Sequence, residues 1–127
     1  MALPQRHRLC GQPLFSTLYR KGRSCHGPLV VLRWLPARSE LLPPAQRGRP
    51  TSAWRAAVVV STKVHKRAVQ RNRLRRLVHH RLLSLPIAAP QGAVWLLLSL
   101  KPGSAERGSD AVLGECQQLL QRAGLTP

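Results

Sequence analysis

Hydrophobic positions along the chain fall into two kinds of run. From Pro28 to Leu35 and from Trp54 to Ser61 they are nearly contiguous and rich in valine, leucine and alanine, which predicts strands. A third run, Ala93 to Leu100, is almost wholly apolar and predicts a strand buried on both faces. Helical spacing governs the rest. Pro13 suits the first turn of a short helix in which Leu14, Thr17 and Leu18 form one face, Phe15 and Tyr19 a second, and Gly22 the stop. From Thr62 to Leu85 there is no proline or glycine, and Val69, Leu74, Leu77, Val78, Leu82 and Leu85 make an apolar stripe. Lys101-Pro102-Gly103 breaks the third strand. Ser109 is placed to cap a last helix with Asp110 in its first turn, Val112, Leu113, Cys116, Leu119, Leu120 and Ala123 as its apolar face, and Gly124 as its end.

The order is short helix, strands, long helix, strand, helix. The strand–helix–strand unit from Trp54 to Leu100 predicts a parallel pair with its helix packed on the sheet. Residues 1–12 read as a basic, loosely ordered arm, and 36–52, with four prolines and one glycine, as a loop. At 127 residues the chain makes one domain, 1–127.

Charge changes the picture most. The formal net charge is +17, from 21 Lys and Arg against four acids. Such a chain repels itself and seeks a polyanion. Between Glu40 and Glu106 no acid occurs, while the long helix carries Arg67, Arg71, Arg73, Arg75, Arg76 and Arg81, with Lys63 and Lys66 just before it. Arg67, Arg71 and Arg75 form a like-charge row at i,i+4 that destabilises an isolated helix and that a phosphate backbone would relieve. The apolar stripe of this helix lies between two strands and serves a core, so a membrane-surface role is disfavoured. The flanking strands also argue against a helix-turn-helix, which leaves RNA as the favoured partner. From spacing alone Phe15 and Tyr19 read as core residues of a small helix; the functional alternative is a stacking platform for unpaired bases.

Several chemistries are excluded. The longest apolar stretch is far short of the roughly 20 residues of a membrane helix. No apolar segment follows the N-terminal arginines, so no secretory signal is expected. Cys10, Cys25 and Cys116 are odd in number and widely spaced, which predicts neither a disulfide framework nor a zinc site and fits a reducing cytoplasm. Glu40, Glu106, Asp110 and Glu115 are the whole acidic supply. Glu106 and Asp110 could share a helix face, but helix capping explains them better than metal binding. Adjacent His79 and His80 diverge by about 100° on a helix and poorly share a metal ion. A protein-only metal nuclease needs clustered carboxylates, and this chain has none.

Specific motifs narrow the field. Ala68, Arg71, Asn72, Arg73, Arg75, Arg76 and Leu77 spell an Ala-x-x-Arg-Asn-Arg-x-Arg-Arg-Leu helix preceded by Lys63 and Lys66. Leu3-Pro4, Arg8-Leu9, Phe15, Tyr19, Arg20, Gly22 and Arg23 open the chain, and Lys101-Pro102-Gly103-Ser104-Ala105 follows the last strand. In this order, over nearly its whole length, the chain resembles the bacterial ribonuclease P protein subunit. It departs from the pattern at Leu32-Arg33-Trp34, where the family often has an aromatic. Arg33 then replaces that aromatic, or Trp34 reaches round to it. It departs also at His65-Lys66, where glycine is common, and at His79-His80.

The resemblance implies an α+β fold: a two-layer α/β sandwich of three helices on a mixed sheet of about four strands, with a left-handed β–α–β crossover against the usual hand. It implies that the catalytic RNA and its magnesium ions cleave precursor tRNA to leave the mature 5′ end. It implies further that the protein binds no cofactor of its own and assists in the cytoplasm. Lys66, Arg67, Arg71, Asn72, Arg73, Arg75 and Arg76 are expected to grip the ribonuclease P RNA. Phe15, Tyr19, Arg33 and Lys63 are expected to line a cleft that holds the 5′ leader of precursor tRNA. The alternative is a structural RNA-binding protein such as a ribosomal protein.

Overall fold

A computed structural model describes residues 3–9, 12–38, 53–90 and 92–127. Cys10 and most of the proline-rich 36–52 segment lie outside the described residues. Helix α1 (Gln12–Lys21) is followed by strands β1 (Arg23–His26), β2 (Val30–Pro36) and β3 (Trp54–Val59). Helix α2 (Ala68–Leu83), strand β4 (Val94–Leu100), the single turn α3 (Ser104–Arg107) and helix α4 (Ser109–Arg122) complete the chain.

The four strands form one mixed sheet in the order β1-β2-β4-β3. β1 and β2 pair antiparallel, as do β2 and β4, while β3 and β4 are parallel neighbours joined through α2. The apolar run of β4 thus occupies a central strand, and Val94 to Leu98 are all buried. Val94, Leu96, Leu98 and Leu100 join a larger core with Leu74, Val78 and Leu82 of α2 and Val112, Cys116, Leu119 and Leu120 of α4. Trp95 and Leu97 point the other way, into a smaller core with Leu14 and Leu18 of α1, Leu9 and Leu35. The alternation of strand side chains therefore feeds two apolar layers from one continuous run. Burial pushes the Cys116 thiol up to about 12, which makes it a core residue and not a nucleophile.

The structure differs from the sequence reading at five places. Strand β1, RSCH, was not anticipated: it is short, polar and mostly exposed, an edge strand held by its pairing to β2. The N-terminal segment, expected to be loose, is tied down over residues 3–9. Leu3 and Leu9 are buried, Leu9 N donates to Ala56 O at 3.1 Å along the outer edge of β3, and His7 stacks on Trp54 with ring centroids 4.0 Å apart. Val69, assigned to the apolar stripe of α2, is 74% exposed, because the stripe of a helix packed on one side begins only at Leu74. Ser109 does not cap α4. It is the first helical residue, and Gly108 occupies the cap position at φ +90° with no side-chain bond. The same glycine separates Glu106 in α3 from Asp110 in α4, so they share no helix face.

Glu115 has the most definite structural role of the acids. Its carboxylate accepts the backbone N–H of Leu29 at 2.7 Å and that of Val30, so α4 clamps the turn between β1 and β2.

Candidate nucleic-acid interface

Among the described residues, the sheet face opposite α2 and α4 is only partly roofed. Helix α1 covers Leu35, Trp95 and Leu97, and Gly22 N donates to Leu18 O at 3.1 Å to close the helix. Beside α1 the floor continues through Val31, Ser99 and Val59, which are register neighbours on β2, β4 and β3. Val59 is 37% exposed, and the Ser99 hydroxyl in this floor has no hydrogen-bond partner.

Phe15 and Tyr19 stand one helical turn apart on α1 and form the wall of this open strip. Phe15 is half-buried against the smaller core, while Tyr19 is 53% exposed. Arg33 of β2 reaches up from the floor, its guanidinium 4.8 Å from the Tyr19 ring centroid. A cation over an aromatic face at this range is attractive and fixes both groups. Arg33 thus takes the cleft position. Trp34, its neighbour in β2, packs on the larger core and does not reach round, because successive strand residues face opposite ways. Lys63 is exposed in the turn after β3, closed by Val64 N donating to Ser61 O at 3.0 Å. Sequence reasoning had no hold on Val31, Ser99 and Val59 as neighbours on this face, of which Val59 alone is exposed, since what α1 leaves uncovered depends on tertiary packing. The one available signal was the lone serine in the apolar run of β4.

Helix α2 sorts its arginines into two groups. Arg71 Nη1 donates to the carbonyls of His65 and Lys66 at 3.0 and 2.9 Å, which fastens the segment leading into the helix. Arg75 Nη1 donates to Asn72 Oδ1 at 2.6 Å. These contacts draw in two members of the like-charge row. Arg73 and Arg76 lie exposed on the outer face with Val69 and His80, and Lys66 and Arg67 are exposed at the helix start. The first turn of α2 holds no acid, and Arg67 at the cap position supplies no side-chain bond. Cations at the positive end of a helix are unfavourable, and an anion there reverses the sign. His79 faces inward and has its pKa lowered to about 4, mainly by burial and then by Arg75. Among the described residues no three His, Cys, Asp or Glu groups cluster as for a metal ion.

A family model described as Ribonuclease P matches residues 3–124. The chain belongs to the ribonuclease P protein family. It is 46% identical over 126 residues to the ribonuclease P protein component of Parasynechococcus marenigrum (strain WH8102), covering 98% of each chain. It is 44% identical to that of Synechococcus sp. (strain RCC307), covering 99% of this chain and 98% of the relative. Solved ribonuclease P proteins share the fold at low identity. One is from Staphylococcus aureus, with a TM-score of 0.74 and 17% identity over 95% of this chain and 98% of that one. Another is from Thermotoga maritima, with a TM-score of 0.66 and 19% identity over 91% of this chain and 96% of that one. The α+β sandwich expected for a ribonuclease P protein is the fold observed. Among the described residues no helix is long and apolar enough to cross a membrane.

Proposed function

We propose that the chain is the protein subunit of ribonuclease P and divides its surface between two RNA partners. The observation that carries this reading is the pairing of Arg33 on the sheet with Tyr19 on α1, beside Phe15, together with a separate helix whose outer face is cationic.

The cleft takes the single-stranded 5′ leader of precursor tRNA. Phe15 and Tyr19 offer ring faces to unpaired bases, and stacking tolerates any base because each has a π-face. Arg33 holds Tyr19 in place and supplies charge to the leader backbone, as does Lys63 from the turn beyond β3. An open surface of this kind, with Tyr19 and Arg33 paired upon it, suits an extended strand better than a compact ligand.

Helix α2 takes the catalytic RNA. Lys66, Arg67, Arg73 and Arg76 meet phosphates directly, while Arg71, Asn72 and Arg75 hold the local backbone and side chains in place before contact. Anchoring in advance lowers the ordering cost of binding. The protein makes no bond-breaking contribution. Glu115 is committed to backbone N–H groups, and the remaining acids are few and dispersed. Cleavage chemistry belongs to the RNA with its magnesium ions, in the cytoplasm.

The test is equilibrium binding of leader-bearing precursor tRNA and of mature tRNA to the assembled holoenzyme. The reading requires that adding this protein to the RNA tightens the precursor and leaves the mature tRNA nearly unchanged. Equal tightening of both removes the leader from the account.

A further inference from the structure

Trp34 is the one aromatic residue that neither the core nor the cleft fully uses. Trp54 and Trp95 are 5% and 2% exposed, whereas Trp34 is half-buried at the end of β2, on the face opposite the cleft. It stands directly across from Arg23 in the β1–β2 register, so both side chains leave the same face of the hairpin. Lys21, at the end of α1, lies two residues before Arg23.

These three residues border a hollow of about 390 Å³. Its walls are apolar, with Val94 and Leu125 beside Trp34, and Pro36 and Pro90 also line it. Among the described residues no acid lines it, and both of its charged residues are cations. The volume is near the lower end of the ~300–1,000 Å³ typical of small-ligand sites, so it suits one planar group and not a duplex.

We propose that this hollow is a second nucleotide site, taking a single unpaired nucleotide of a bound RNA. The base lies against the indole of Trp34 within the apolar walls, and Arg23 and Lys21 hold the phosphate, Arg23 by paired N–H donors. The source of the nucleotide rests on the proposed role as an RNA-binding subunit. Geometry sets the site apart from the leader cleft, because Arg33 and Trp34 are consecutive strand residues and face opposite sides of the sheet.

The experiment is a titration of the full-length protein with adenosine 5′-monophosphate and with a five-residue oligoadenylate, read by tryptophan fluorescence. Trp54 and Trp95 are buried and give a constant background. Saturable quenching by both probes is expected. Arg23→Ala raises the apparent Kd for the oligonucleotide roughly fivefold or more, while Arg107→Ala, an exposed charge outside the hollow, changes it by less than about twofold. Absence of quenching overturns the proposal. So does an equal shift in the two variants, which reports only net charge, and so does equal quenching by polyglutamate, which makes the site a general anion hollow. The probes contain neither tRNA nor catalytic RNA, so failure here leaves the leader-binding measurement standing, and failure of that measurement does not touch the fluorescence result.

Discussion

The guanidinium of Arg33 lies 4.8 Å from the ring centroid of Tyr19 and joins the floor of the open sheet face to its α1 wall. The pair does with a cation what a second aromatic would do by stacking. It presents one continuous surface, and it adds positive charge where a nucleic-acid backbone would pass.

Phe15→Ala therefore weakens leader-bearing precursor by about 1–3 kcal/mol, the usual worth of one stacked base. Mature tRNA is unaffected. Arg33→Ala gives a smaller loss, because Tyr19 remains but is no longer held. Holoenzyme binding assays with both tRNA forms check this, and equal losses for the two forms contradict the cleft assignment.

The two groups of α2 arginines separate in a paired measurement. Arg73→Ala and Arg76→Ala lower RNA affinity and each reduce the salt slope of binding by about one, with the melting temperature unchanged. Arg71→Ala removes two hydrogen bonds to His65 and Lys66 carbonyls and costs about 1 kcal/mol of stability in urea denaturation. Stability losses of the same size at all three positions would refute the division.

Glu115 holds the β1–β2 turn through Leu29 and Val30. Glu115→Ala leaves two backbone N–H groups unpaired and destabilises by about 2–3 kcal/mol. A Cβ on Gly27 would sit 2.5 Å from a Glu115 carboxylate oxygen, so a larger residue there must displace the clamp. Gly27→Ala is correspondingly destabilising in the native background and milder in Glu115→Ala, a coupling that a double-mutant cycle reads directly.

His79 gives a pH signature. Its pKa falls from 6.5 in the unfolded chain to about 4 in the fold, so between these values the unfolded state binds more protons. Its effect on stability is absent above pH 6.5 and grows as pH falls towards 4. The thermal midpoint drops on acidification through this window, and His79→Asn flattens the drop. Chemical denaturation at pH 7 and pH 5 for both proteins is the check, and identical pH slopes would contradict burial as the cause.

Much of this was legible in the sequence because period and composition agreed. The run Ala93–Leu100 announced a central strand, and the Trp54–Leu100 unit a parallel pair. The arginine–asparagine–arginine helix with Phe15 and Tyr19 upstream pointed to the family. What was missed has physical reasons. β1 is polar and exposed on an edge, so no apolar period marks it. Residues 3–9 are ordered by long-range contacts, among them His7 on Trp54 and Leu9 on Ala56, which no local pattern encodes. The choice between Arg33 and Trp34 turned on strand phase, which the register with β1 and β4 fixes. The anchoring of Arg71 and Arg75 was hidden because a charge count treats every arginine alike.

The most direct test of the central claim is cleavage of a leader-bearing precursor tRNA by its matched ribonuclease P RNA at low magnesium, with and without this protein. The account predicts stimulation that yields the mature 5′ end and that shrinks as the leader is shortened. Tight RNA binding with no stimulation would contradict it and leave a structural RNA-binding protein in its place.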